Sequence, residues 1–189
     1  DNDGDRVGDV CDTPISPGTQ QDQLARFLPL TNLTPTSLAG LFSEVPSSFV
    51  LNSDSIEQLV GGNGLLKLAA PLSTATLWLA FELTAVPTGL FNLGIHATQS
   101  GPSNLVFYGN LYRDPANGVP AVINTGVSSN EPEVIFANAE LGALEVSDRG
   151  ILGVTVDAQS HEIAASLTLF RGGDSRVFVL PRKACAYNG

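Results

Sequence analysis

The sequence predicts an all-β fold, an antiparallel β-sandwich or jelly roll with an acidic loop at its N-terminus and a few short helices. From residue 65 onward, apolar and polar residues alternate with the period of two that is typical of strands buried on one face. Gly, Asn and Asp residues separate these segments at roughly the 8–12-residue spacing of sandwich strands. Hydrophobic residues make up 43% of the 189 residues and charged residues 15%, so the chain can bury a substantial core.

The region before these strands predicts a different organisation. Three parts are expected along the chain: an acidic loop at residues 1–12, a Pro-, Gly- and Thr-containing linker at residues 13–22, and a β-sandwich domain at residues 23–189. Short helices are predicted at three places. One follows an N-cap at Thr19, one has Pro35 at its first position, and one begins near Ser53 and runs through IEQLV to Gly61.

The clearest predicted strand is TLWLAFELT. Leu77, Leu79 and Phe81 point to one side of it, and Trp78 points to the other with polar and small neighbours. In the next apolar segment, SNLVFYGNLYR, the Gly109-Asn110 pair separates two apolar runs. That arrangement predicts a two-residue hairpin turn.

The C-terminal part of the sequence predicts further strands and turns. EVIFANAEL is expected to form one strand, and ALEVSDRGILGVTVD two strands separated at residues 147–150. A turn at residues 158–161 precedes the strand EIAASLTLF. The segment SLTLFRGGDSRVFVLP predicts a hairpin about residues 172–175.

The N-terminal loop, DNDGDRVGDVCD, places five Asp residues at regular intervals. A carboxylate run without counter-charges otherwise indicates a solvated tail. Here, however, the spacing matches the oxygen-ligand positions of a twelve-residue calcium loop. Arg6 stands where the helix–loop–helix calcium motif requires Gly, and no helical pattern follows, which disfavours that motif. The expected Ca²⁺ ligands are the side chains of Asp1, Asp3, Asp5, Asp9 and Asp12 and the backbone carbonyl of Val7.

The same twelve residues resemble a thrombospondin type 3 repeat, with the pattern D-x-D-x-D-G-x-x-D-x-C-D and often a Gly before the fourth Asp. The matching positions are Asp1, Asp3, Asp5, Gly8, Asp9, Cys11 and Asp12, whereas Arg6 departs at the usual glycine. The resemblance implies calcium binding by the Asp side chains and a stiff, disulfide-braced stalk. It also implies that Asp9 and Asp12 help to hold a neighbouring ion. A solvated acidic tail is the alternative interpretation.

The two cysteines, Cys11 and Cys185, lie near opposite ends of the sequence. A disulfide between them is expected if the chain is exported. Calcium loops of weak to moderate affinity belong outside the cell, so an extracellular or cell-surface location is predicted. Pairing of Cys11 with a further upstream repeat and two free thiols are the alternatives. Because the sequence lacks Met and begins inside the repeat pattern, it is expected to be a piece of a longer protein.

Aromatic residues provide a candidate ligand surface. Trp78, the only Trp, lies on the side of its strand opposite the predicted core, where it either stacks on a sugar ring or packs beneath a loop or helix. Packing is the favoured expectation. Tyr108 and Tyr112 bracket the predicted Gly109-Asn110 turn, and either join a stacking platform with Trp78 or pair with residues across the sheet.

Several functional classes find no support in the sequence. It contains no nucleophile elbow, zinc-protease motif or phosphate-binding glycine loop, so no enzymatic activity is predicted. The nine Lys and Arg residues are scattered in a chain of net charge −10, which excludes a nucleic-acid footprint. No apolar run approaches the roughly 20 residues that span a bilayer, so no membrane span is predicted.

Three functional hypotheses follow. The first is an extracellular, calcium-binding structural or adhesive domain, which in its sharper form self-associates into a homo-oligomer or filament. The second is a carbohydrate-binding module of a secreted multidomain protein. The third, a hydrolase using a chance pair of glutamates, ranks last.

Overall fold

The computed structural model describes residues 42–44, 49–52, 55–58, 67–68, 74–86, 88–99, 105–128, 134–157 and 160–184. The chain divides into two compact units, Asp1–Pro71 and Leu72–Gly189. The predicted acidic loop, the linker and the helix after Thr19 lie outside the described residues, as do the predicted domain boundaries.

In the first unit, the described residues form two antiparallel strand pairs. Strand β1 (Phe42–Glu44) pairs with β4 (Lys67–Leu68), and β2 (Phe49–Leu51) pairs with β3 (Ile56–Gln58). The helix expected from Ser53 to Gly61 is therefore wrong, because its centre is strand β3. A helical period in so short a segment is a weak signal, and pairing with β2 outweighs it.

The second unit contains two four-stranded antiparallel sheets. The first, here the Trp78 sheet, has the order β12-β11-β10-β5, and the second, here the Tyr108 sheet, has the order β6-β7-β8-β9. Their strands are β5 (Thr74–Glu82), β6 (Phe91–Gln99), β7 (Leu105–Asp114), β8 (Val119–Ser128), β9 (Val134–Glu140), β10 (Arg149–Asp157), β11 (Glu162–Arg171) and β12 (Asp174–Ala184). The prediction of an all-β fold is confirmed.

Both sheets contribute side chains to one hydrophobic core. Leu152 and Leu167 of the Trp78 sheet and Leu111 and Ile123 of the Tyr108 sheet are completely buried within it. The alternation predicted for β5 is also observed. Leu77, Leu79 and Phe81 are half-buried, and the residues between them are exposed, because successive side chains of a strand point to opposite faces.

The hairpin predicted at Gly109-Asn110 is wrong, since β7 runs through both residues. A Cβ built on Gly109 would overlap Cγ2 of Val154 in the opposite sheet and lie 3.2 Å from its Cγ1. Glycine is therefore present at this position because the other sheet approaches closely, and no turn is involved. Asn110 is buried, and its Oδ1 accepts a hydrogen bond from Nε2 of His96 at 3.1 Å.

The turns between the last strands agree better with the sequence. Gly172 and Gly173 have φ values of 56° and 93° and connect the paired residues Arg171 and Asp174. Two successive positive φ angles are what a tight hairpin of this kind requires, so the predicted hairpin is confirmed. By contrast, the first half of ALEVSDRGILGVTVD is not a strand, and only β10 forms there. The only helix among the described residues is a 3-10 turn at Pro115–Asn117.

Candidate binding surface

The outward side of the Trp78 sheet has an exposed, uncharged central region, here called the Trp78 face. Charged residues of the same strand phase flank it, Glu82 and Arg149 at one end and Asp157 and Glu162 at the other. Its side chains alternate with the core residues of the same strands. They are Thr76, Trp78 and Ala80 of β5, Ile151, Gly153 and Thr155 of β10, Ser166 and Thr168 of β11, and Val177 and Val179 of β12. Val177 is 65% exposed and Val179 is 71% exposed. Exposed apolar side chains grouped on one face mark a contact surface more often than scattered ones do.

Trp78 lies open to solvent at the β5 side of this face. Its residue surface is 63% exposed, so the expectation that a loop or helix covers it is wrong. A Cβ built on its cross-strand partner Gly153 would collide with Cζ3 and lie 2.6 Å from Cε3 and 2.9 Å from Cη2. Because the two atoms beside Cζ3 are nearly as close as Cζ3 itself, the indole rests with one face against Gly153. Its other face is open.

Two hydroxyl groups lie on one side of the indole along the sheet, and an apolar hollow lies on the other side. Thr76 Oγ1 and Thr155 Oγ1 are exposed and lie 2.9 Å apart, within hydrogen-bonding distance. At the opposite end of the face, a hollow of about 360 Å³ is lined mainly by apolar atoms. Its walls come from Ala80, Phe81, Arg149, Gly150, Ile151 and Phe170. The surface thus combines a flat aromatic ring, paired hydroxyls and an apolar depression, without a charge at its centre.

The predicted partners of Trp78 lie elsewhere. Tyr108 and Tyr112 belong to β7 in the Tyr108 sheet, on the far side of the core, so the three aromatic residues do not form one platform. Tyr108 is only 3% exposed and is the cross-strand partner of His96, with 6.1 Å between the ring centroids. Tyr112 is half-buried and donates a 3.4 Å hydrogen bond to Oδ2 of Asp114. That carboxylate also accepts from Asn117, and this hydrogen bond is the main reason why the pKa of Asp114 is lowered.

One network of charged groups joins the end of β11 to the loop between β9 and β10. Arg171 donates from Nε to Oδ1 of Asp148 at 2.7 Å and from Nη2 to Oδ2 at 2.6 Å. It also donates from Nη1 to Oε1 of Glu145 at 2.7 Å. The hydrogen bonds from Arg171 lower the pKa of the Asp148 carboxyl, and the same contact raises the pKa of Arg171. All three guanidinium nitrogens of Arg171 donate to protein oxygens, so the network braces the loop.

The predicted metal and disulfide residues are not part of this geometry. Asp1, Asp3, Asp5, Val7, Asp9, Asp12, Cys11 and Cys185 all lie outside the described residues. Within the described residues, no group of three or more His, Cys, Asp and Glu side chains is placed to hold a metal ion. Nor does any helix in the described ranges have the length and apolar character needed to cross a bilayer.

Comparison of the chain with models of protein families, with curated proteins and with solved structures finds no match in any of the three. The candidate surface therefore rests on its own geometry. Sequence reasoning found Trp78 but missed Thr155, Val177 and Val179. These residues alternate along their strands with the buried residues Leu152, Val154 and Leu180. The alternation in the sequence therefore indicates that their side chains point outward.

Proposed function

We propose that this protein is an extracellular adhesive domain without enzymatic activity, which contacts its partner through the Trp78 face. The observation that carries the proposal is the exposure of Trp78, Val177 and Val179 on the uncharged central part of one side of a regular sheet. Burying apolar surface releases about 25 cal/mol per Å², so a partner that covers this face gains a substantial driving force.

We infer that the two sheets form the β-sandwich predicted from the sequence, and a sandwich suits a contact surface of this kind. The shared core and the close approach of Gly109 to Val154 support this inference. A sandwich presents one sheet face as a rigid platform, since its opposite face is anchored in the core. A rigid platform loses little conformational entropy when it binds.

The N-terminal loop completes the proposal. We infer that Asp1, Asp3, Asp5, Asp9 and Asp12, with the carbonyl of Val7, bind Ca²⁺ as in the thrombospondin type 3 repeat that they resemble. Ca²⁺ offsets the repulsion among these carboxylates and supplies the energy that orders the loop. A disulfide between Cys11 and Cys185 would link this loop covalently to the C-terminal part of the chain in an oxidising, extracellular setting.

Adhesion of coated beads under flow tests the proposal. Beads carrying the chain are allowed to settle on surfaces coated with the chain itself, with collagen or with mixed glycans, in calcium-containing buffer. The double variant Val177→Asp/Val179→Asp should detach at lower flow than the parent, because two charges on the face must be desolvated on contact. Thr98→Asp, an exposed position on the Tyr108 sheet, is the matched control. Equal detachment of parent and double variant would refute the proposal.

Self-association is the second candidate, and one feature of the strands favours it. Among the described strands, β5 and β12 are the edges of the Trp78 sheet. Strand β12 contains Arg176, Pro181, Arg182 and Lys183, which hinder pairing with another chain, whereas the nine residues of β5 include only Glu82 as a charge and no Pro. Sedimentation velocity checks this candidate. The Ala80→Lys variant should self-associate less than the parent chain, and a parent chain that is monomeric at all concentrations would exclude self-association.

A further inference from the structure

We propose that the ligand of the Trp78 face is an uncharged glycan, one pyranose ring of which stacks on the open side of the Trp78 indole. This inference rests on the proposed function, because it names the partner of the same surface. The first supporting observation is the orientation of the Trp78 indole. The indole lies with one side on Gly153 and the other side in solvent, so the ring is held parallel to the sheet and presents a flat surface.

A flat, flush ring suits a sugar better than a protein side chain. Protein hot spots are usually side chains that fill pockets on the partner, and the indole here does not protrude because Gly153 leaves room for it in the sheet surface. The face of an aromatic ring carries partial negative charge, and the C–H bonds on one side of a pyranose ring carry partial positive charge. The two surfaces therefore attract each other over the whole ring.

The polar groups near the indole match the hydroxyls of such a ligand. Thr76 lies two residues from Trp78 along β5, about 7 Å away, and Thr155 lies two residues from Gly153 along β10. One hydrogen bond links the two threonine hydroxyls. Since each hydroxyl has one donor and two acceptor sites, the pair keeps one donor and three acceptors for a ligand.

Charge selects the class of glycan. None of the ten residues of the Trp78 face is charged, so an acidic sugar stacked on Trp78 would meet no counter-charge beside the indole. The net charge of −10 of the whole chain also repels polyanions such as sulfated or uronate-rich chains. The hollow beside Ala80 and Ile151 continues the surface beyond the indole, and its one charged lining residue, Arg149, is the cross-strand neighbour of Glu82. A neutral oligosaccharide therefore fits better than a charged one.

Fluorescence titration tests the inference directly, because Trp78 is the only Trp in the chain and reports on this face alone. A glycan array first identifies neutral glycans that bind the parent chain, and the best of them is then titrated. Trp78→Ala, measured by calorimetry, should weaken binding at least about tenfold, as expected for loss of a stacking contact. Thr155→Val should weaken it about threefold to tenfold through loss of one hydrogen-bonding group.

Thr98→Val is the matched control, since it makes the same change on the other sheet and should bind as the parent does. Unchanged circular dichroism and melting temperature would show that each variant folds. The inference is overturned if no neutral glycan on the array binds, or if Trp78→Ala binds as tightly as the parent. If adhesion still depends on Val177 and Val179 in that case, the proposed function survives with a different partner. If adhesion is independent of them, both fail.

Discussion

The guanidinium of Arg171 and the carboxylate of Asp148 form a paired hydrogen bond, with Nε–Oδ1 and Nη2–Oδ2 distances of 2.7 and 2.6 Å. The Asp148 side chain is completely buried, and it accepts a further bond from the backbone N–H of Glu145 at 2.8 Å. The backbone carbonyl of Asp148 accepts from the N–H of Leu83, so the same residue ties its loop to the end of β5. Two distant parts of the second unit are held together at this point.

Asp148→Asn should lower the free energy of unfolding by about 2–3 kcal/mol. Asn cannot supply the buried anion that Arg171 pairs with. The cost is lower than for a fully buried pair because Arg171 keeps its contacts with water and with Glu145. Glu145→Gln is the control, since its salt bridge with the same arginine is exposed and should contribute less than about 1 kcal/mol. Chemical denaturation measures both values, and equal losses would contradict the role given to Asp148.

Stability should fall in acid through the same carboxyl. The pKa of Asp148 is lowered in the folded state below its ordinary value of 3.8, first by its hydrogen bonds to Arg171. A lowered folded pKa contributes stability above the unfolded pKa, and this contribution is lost as the pH falls through the folded pKa. Denaturation midpoints of the parent should therefore decrease below about pH 4 more steeply than those of Asp148→Asn. Parallel curves for the two proteins would count against this origin of the acid sensitivity.

Gly109→Ala should destabilise the protein by about 1–3 kcal/mol, because the added methyl group would collide with Val154 in the opposite sheet. The loss should be smaller when Val154 is also replaced by Ala, since the smaller side chain makes room for the methyl group. Gly89→Ala is the control, because a Cβ there meets no atom within 4 Å. If Gly109→Ala were as harmless as the control, the position would behave as an exposed turn.

Calcium should raise the melting temperature of the intact chain. Replacing Asp1, Asp3 and Asp5 together by Asn should abolish this rise, because the loop then lacks the anionic ligands that the ion requires. Asp174→Asn, at the exposed first residue of β12, should keep the full response. Differential scanning fluorimetry with calcium and with a chelator measures the shift, and a calcium response that survives the triple replacement would rule out these ligands.

Some features of the second unit were predictable because their cause is local. Alternation of apolar residues along β5 and β11 indicates both the strand and the side of it that faces the core. The Gly172-Gly173 pair indicates a tight turn because few other residues adopt two positive φ angles in succession. The outward phase of the Trp78 side chain likewise follows from the neighbouring residues alone.

Other features depended on residues that are far apart in the chain. A Gly-Asn pair has the same local preference for a turn wherever it occurs, yet at Gly109 the close approach of Val154 requires a glycine inside a strand. In the same way, the exposure of Trp78 depends on whether another segment covers the sheet.

By itself, then, the sequence determined that the described chain folds into antiparallel strands, and it determined the phase of their inward and outward side chains. The tertiary structure alone decided which sheets share a core, that Trp78 rests on Gly153 with one face open, and that Arg171 reaches Asp148 across 23 residues. The physical reason is that strand periodicity arises between neighbours along the chain, whereas burial and pairing arise between surfaces that meet only after folding.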